Sequence, residues 1–240
     1  MTSDIHRPAP ETIEALKTIG AATASATLSH MGIRNSHIQG PTPLIGDKCI
    51  AGPALTLQFM PRREDIFPSG EYEDPEAQIH RHVLYEVQAG DIVVVDARGD
   101  MSSGVFGEMM LTYFAGRGGA GMVIDGCIRD VEKAKDLDLG LWIRGATPNF
   151  HMQTGIAPFA CNVPIACADV LVFPGDLIVA DDDGAVVIPA KLVDAVIAEG
   201  SKHAEWEEFS RLKLSEGKDL RRYYPLHPDV QHEYEEWKRQ

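Results

Sequence analysis

Arg129 and Asp130 stand side by side after the apolar run GMVIDGCI, and Glu108 follows Gly107 earlier in the same stretch, GEMMLTYFAGRGGAGMVIDGCIRDVEKAKDLD (107–138). MVID reads as a short buried strand, Gly126 permits a sharp exit, and VEKAKD continues as a helix, so Arg129 and Asp130 fall at a strand-to-helix turn. IVVVDARG leads through MSSGVF to a second helix opening at Gly107-Glu108-Met109-Met110. The first amides of a helix have no intrahelical acceptor and can bind a carboxylate. Two helix N-termini, one guanidinium and two carboxylates therefore have the means to meet. The bland reading of the same pattern is a solvated helix cap, since Asp at a helix start is ordinary and charges crowd residues 129–138.

Other motifs carry less. Gly116, Gly118 and Gly121 match GxGxxG but follow a helix pattern and precede a strand, the reverse of a nucleotide-binding loop. His80 and His82 lie two apart in a helix-like segment, so their side chains diverge and read as surface or structural residues. Asp181-Asp182-Asp183-Gly184 reads as a hairpin turn, because Ala180 occupies the first ligand position of a calcium loop. Lys48, Lys133, Lys135 and Lys191 sit in polar or turn contexts that do not favour an imine. Cys127 reads as a passive small residue, although a thiol near an Arg can be activated.

The elements that must position these residues follow from period and punctuation. Residues 10–30 read as one or two short helices ending near Gly32, and IAGPALTLQF (50–59) as a strand broken at Gly52-Pro53. A polar, Pro-interrupted loop occupies 60–76, followed by helical spacing through 77–88 and a doubly buried strand at DIVVVDARG. Several short strands follow between 141 and 189, then an amphipathic helix over 190–209. The expected organisation is one α/β domain over 1–209 with a C-terminal extension, 210–240. That extension is charged yet keeps aromatics, so it should dock on its own domain or on a neighbouring subunit.

The chain has 240 residues and a formal net charge of -14, which argues against a nucleic-acid partner. The N-terminal residues lack the regions of a signal peptide, the cysteines form no CxxC pair, and Gly, Pro or charge interrupts every apolar run. A soluble, cytoplasmic protein with no membrane association is expected.

GPALT (52–56), GDIVVVD (90–96), GE (107–108), GAGMVIDGCIRD (119–130) and PGDLIVADDDGAVVIP (174–189) together resemble a known family. It comprises the 4-hydroxy-4-methyl-2-oxoglutarate aldolases and oxaloacetate decarboxylases, and also the regulator of ribonuclease activity A. The resemblance implies an α/β fold with a central β-sandwich or barrel flanked by helices, similar to the swivelling phosphohistidine domain, assembled as a homotrimer or homohexamer with sites between subunits. It implies a class II lyase that uses Mg2+ or Mn2+ to release pyruvate from a 4-hydroxy-2-oxo acid or oxaloacetate. Asp130 would hold the metal and Arg129 would contact the pyruvyl portion. The amides of Gly107, Glu108, Met109 and Met110 would hold its carboxylate, and Glu108 would contact water on the metal. A further acid is expected from a neighbouring C-terminal helix, with Glu205 the choice ahead of Glu207 and Glu208. The family also implies a non-catalytic alternative, a regulator binding a ribonuclease or another protein, although Arg129, Asp130 and Glu108 favour an enzyme. A methyltransferase reading lacks its strand-to-helix glycine loop.

Overall fold

The computed structural model describes residues 5–67 and 74–239. The chain opens with α1 (Pro10–His30), in which Gly20 adopts φ 74° and divides the helix into two pieces. The N–H of Ala21, freed at that break, donates to Asp181 Oδ2 at 2.8 Å. Two-residue strands β1 (His37–Ile38) and β2 (Thr42–Pro43) precede β3 (Ile50–Pro61). Then follow α2 (Ile79–Tyr85), β4 (Ile92–Gly104), α3 (Glu108–Gly116), β5 (Gly121–Ile128), the single turn α4 (Val131–Ala134) and β6 (Gly140–Ala146). Strands β7 (Ile156–Cys161), β8 (Ile165–Cys167), β9 (Val170–Val172), β10 (Leu177–Asp181) and β11 (Gly184–Ile188) lead to α5 (Val193–Ser215), α6 (Leu220–Tyr223) and α7 (Gln231–Trp237).

A large mixed sheet runs in the order β1-β11-β10-β3-β4-β5-β6-β2, with β7 added alongside β3. Its centre, β3-β4-β5-β6, is parallel. The fold is α/β with helices flanking this sheet, as the sequence implies. Alternation along the central strands divides the core. Leu55, Val93, Val95, Ile124 and Leu141 face a layer that includes Leu84 of α2, Leu111 and Phe114 of α3 and Ala134 of α4. Ile92, Val94, Val123 and Trp142 face the opposite way, onto the β8–β9 hairpin. α1 and α5 cover β10 and β11 through Leu16, Ile19, Val193 and Val196.

Several expectations need adjusting. β3 does not break at Gly52-Pro53; it changes partners there, pairing antiparallel with β10 through Ile50–Pro53 and then parallel with β4 from Ala54. Pro53 is tolerated because it stands at the changeover, where the next amide, of Ala54, donates outside the ladder to Asp176 O at 2.8 Å. Gly52 is needed for approach: a Cβ there would collide with the Gly90 carbonyl oxygen. Gly52→Ala should therefore cost about 2 kcal/mol, read as a lower urea midpoint at unchanged slope. The expected loop at 60–76 lies partly outside the described residues; at its end, Pro75–Ala77 form a 3-10 turn. The helix expected to end at 209 continues to Ser215. Beyond it, Tyr223, Val230 and Tyr234 form a small hydrophobic cluster with Phe209 of α5, so the C-terminal segment packs on its own chain.

Candidate active site

All of β5 is buried, and its C-terminal end is clamped on both sides. The N–H of Val105 donates to Cys127 O (3.0 Å), that of Arg129 to Phe106 O (2.9 Å) and that of Thr147 to Ile128 O (3.1 Å). The turn at 129–130 is thus held between the segment entering α3 and the segment leaving β6. Asp130 precedes α4 in the left-handed region, φ 59° and ψ 37°, a conformation that Asp tolerates better than most side chains. Its carboxylate reaches back across α3, where Oδ2 accepts the N–H of Glu108 at 3.2 Å. Oδ1 has no hydrogen-bond partner among the described residues.

Gly107 makes this approach possible. A Cβ there would stand 2.6 Å from Asp130 Oδ2 and 2.7 Å from Arg129 Nε. The Arg129 guanidinium lies over the Phe150 ring, its carbon 5.7 Å from the centroid. Its Nε is 3.6 Å from Asp130 Oδ2, too far for a hydrogen bond. The guanidinium makes no hydrogen bond to any acceptor among the described residues, and a third of the side chain is exposed.

Glu108 joins the group through its side chain, accepting from Lys133 Nζ at 2.7 Å. That bond and the charge of Glu108 raise the pKa of Lys133, the opposite of what an imine-forming lysine needs. The amide donors differ from the expectation that Gly107 to Met110 all point outward. Glu108 N–H is taken by Asp130, and the Met110 N–H donates to Gly107 O at 3.1 Å. The N–H groups of Gly107 and Met109 have no acceptor among the described residues, so in this segment those two donors are free.

The three candidate acids on α5 also separate. Glu205 Oε1 accepts from Tyr234 Oη at 2.5 Å and from Lys238 Nζ at 2.8 Å. Glu207 accepts from His203 and Tyr224. Glu208 is exposed and has no partner among the described residues.

Behind Phe150 lies a feature that sequence reasoning missed. His151 is buried and stands edge-on to Phe150 (6.2 Å, 85°), to His80 (4.5 Å, 70°) and to Phe59 (6.1 Å, 75°). Burial, then the charges of Arg62 and Arg129, lower the His151 pKa to about 4. His80 is wholly buried, with neither ring nitrogen hydrogen-bonded among the described residues, and burial lowers its pKa well below the ordinary value. His82 diverges to the surface, as the spacing implied. Cys127 is buried, and burial followed by the charge of Asp100 raises its pKa, so it is the passive thiol expected. Among the described residues no three His, Cys, Asp or Glu side chains are grouped to hold a metal ion. No described helix is long and apolar enough to cross a membrane.

By fold, the chain is a mixed α/β protein of the same build as RraAS2 of Streptomyces coelicolor, described as an unusual member of the RNase ES inhibitor RraA protein family. The two superpose with a TM-score of 0.79 at 43% identity, over 86% of this chain and 98% of that one. The chain belongs to the RraA-like family, described as Aldolase/RraA, whose pattern matches residues 14–187. A Halalkalibacterium halodurans protein provisionally named 4-hydroxy-4-methyl-2-oxoglutarate aldolase is 38% identical over 55% of this chain. A 4-hydroxy-4-methyl-2-oxoglutarate aldolase of Thermus thermophilus is 32% identical over 45% of it. These matches span 62% and 65% of the two relatives, under two thirds of each.

Proposed function

We propose that this protein is a divalent-cation-dependent carbon–carbon lyase that releases pyruvate from a 4-hydroxy-2-oxo acid or from oxaloacetate. The observation that carries the reading is Arg129. Among the described residues its guanidinium has no hydrogen-bond acceptor, and it stands beside the Asp130 carboxylate, which also accepts the N–H of Glu108 at the opening of α3. That set suits the carboxylate and keto oxygen of a 2-oxo acid.

Asp130 would hold the cation, with Glu108 next to it. The donor set is all oxygen and too small to enclose an ion, which suits Mg2+ or Mn2+ with waters completing the shell. When bound, the cation would draw electron density from the keto group. Arg129 would bind the pyruvyl carboxylate and oppose the negative charge that develops when the C3–C4 bond breaks and its electron pair passes into the enolate. For a 4-hydroxy acid, the C4 hydroxyl gives up its proton as C4 becomes a carbonyl, and Glu108 is the nearby base. The proton taken up by Glu108, or one from solvent, is then delivered to C3 of the enolate and yields pyruvate. Oxaloacetate loses carbon dioxide to the same enolate and needs no such base.

An acid from a neighbouring copy would complete the site in a homotrimer or homohexamer. Glu205 is the choice from sequence; Tyr234 and Lys238 engage it here, and Glu208, exposed and without a partner among the described residues, is the alternative. Gly107→Ala tests the compactness of the site. The added methyl must displace both Arg129 and Asp130, and a kcat/KM at least about tenfold lower is expected at nearly unchanged Tm, because the backbone at 107 is extended.

The deciding experiment measures pyruvate release from oxaloacetate and a panel of 4-hydroxy-2-oxo acids, with Mg2+ or Mn2+ and again with chelator. Cation-dependent release from at least one substrate is expected; background rates throughout would remove the lyase reading. A second reading has its own support, the likeness to a structure from an RNase ES inhibitor family at 43% identity. In that case the acidic surface would bind a basic region of a ribonuclease, and the panel would stay at background while ribonuclease activity fell on adding the protein.

A further inference from the structure

We propose that Phe150 is a positioning residue of this site, a shelf that holds the Arg129 guanidinium open for a planar carboxylate. The inference rests on the reading of Arg129 as the anion-binding residue given above. Two resting places compete for that guanidinium, the aromatic face of Phe150 and the carboxylate of Asp130 beside it. Its carbon lies 5.7 Å from the ring centroid, within cation–π range, and Nε keeps a loose ion pair with Asp130 Oδ2 at 3.6 Å, longer than a hydrogen bond. A half-exposed ion pair and a cation–π contact are of similar strength, so the shelf is enough to keep the pair from closing to a hydrogen bond. Collapse onto Asp130 would occupy the donors of Arg129 and the carboxylate meant for the cation together. Resting on the ring face uses none of the N–H donors of the guanidinium, which stay free to receive an anion.

Phe150 is itself fixed from several sides. Its N–H donates to Gln153 Oε1 at 3.0 Å, and its backbone forms an isolated parallel bridge with Gly104. A Cβ on Gly104 would meet Asn149 O at 2.8 Å and Arg129 Cβ at 3.0 Å, so the shelf segment and the arginine close directly on that glycine. Behind the ring stands His151, backed by His80 and Phe59. The backing is aromatic and buried, which leaves the ring no room to retreat.

Oxalate, a planar dianion with the outline of the pyruvate enolate, reports on the shelf without turnover. Its affinity is to be measured by titration calorimetry in Mg2+ for the wild type, Phe150→Leu and Phe150→Tyr, with Tm recorded for each. Leucine keeps apolar bulk and removes the π face; tyrosine keeps both. Phe150→Leu should bind oxalate roughly tenfold more weakly, and Phe150→Tyr within about twofold of wild type. A role confined to packing would leave Phe150→Leu unchanged. Wild-type affinity in Phe150→Leu, equal weakening in both variants, or no oxalate binding by the wild type would each overturn the proposal. If the oxalate pattern holds while the substrate panel stays at background, the shelf stands and the lyase reading alone fails.

Discussion

Asp130→Asn is expected to abolish cation-dependent pyruvate release while the protein stays folded, and Arg129→Ala to lower kcat/KM for pyruvyl substrates about 10²–10³-fold. Asparagine is the informative replacement at 130. It tolerates the left-handed φ of 59° nearly as well as Asp and can still accept the Glu108 N–H, so it removes the charge and little else. Alanine would add backbone strain and confuse a lost ligand with a shifted turn. At 129 the loss should fall on both KM and kcat, because the same guanidinium would meet the carboxylate in the ground state and the enolate charge in the transition state. Steady-state kinetics with and without chelator, beside thermal melts, check both variants. Wild-type turnover in either would place the chemistry elsewhere in the molecule.

What could be read in advance depended on how locally each feature is encoded. The doubly buried β4 and β5 and the glycine-marked turns are written in runs of neighbouring residues, so the two helix openings and the hairpin at Asp181–Gly184 were legible. That Arg129 and Asp130 come against Gly107 followed from two strand-to-helix turns on adjacent parallel strands. The change of partner within β3 was not legible, because Gly52-Pro53 punctuates a sequence in the same way whether the strand ends or exchanges neighbours. Phe150 and His151 lie in TPNFHMQTG, which has no period of two or of 3.6, and their link to Arg129 exists only through space. The pairing of Glu205 with Tyr234 and Lys238 depends on a return of the chain that α5, read alone, does not announce. Charge and side-chain type name candidate acids; only the packing says which of them are already engaged.

The buried imidazoles behind the site should make the protein acid-labile well above the range in which carboxylates titrate. His151 has a pKa of about 4 in the folded protein against about 6.5 in an unfolded chain. Between those values the unfolded state binds the proton and the folded state does not. The stability that the neutral ring contributes is therefore complete above pH 6.5 and is lost as pH falls towards 4. For His151 the loss is roughly 2 kcal/mol at pH 5 and roughly 3 kcal/mol at pH 4. His80, with a pKa lowered well below the ordinary value, adds to it in the same direction. Burial is the largest cost of protonating either ring; next come Arg62 and Arg129 for His151, and His151, Arg81 and His82 for His80. Asp96 and Asp176 work in the opposite sense, because burial raises their pKa and protonation at low pH relieves that cost. Substitution at the histidines is what separates the two effects. The wild-type Tm should fall by roughly 4–8 °C between pH 7 and pH 5. His80→Leu removes two unpartnered buried nitrogens and forfeits no hydrogen bond, so it should be neutral or stabilising at pH 7 and should flatten the acid limb. A wild-type Tm that stays level from pH 7 to pH 5, or an equally steep fall in His80→Leu, would mean that these rings already accept a proton in the folded protein.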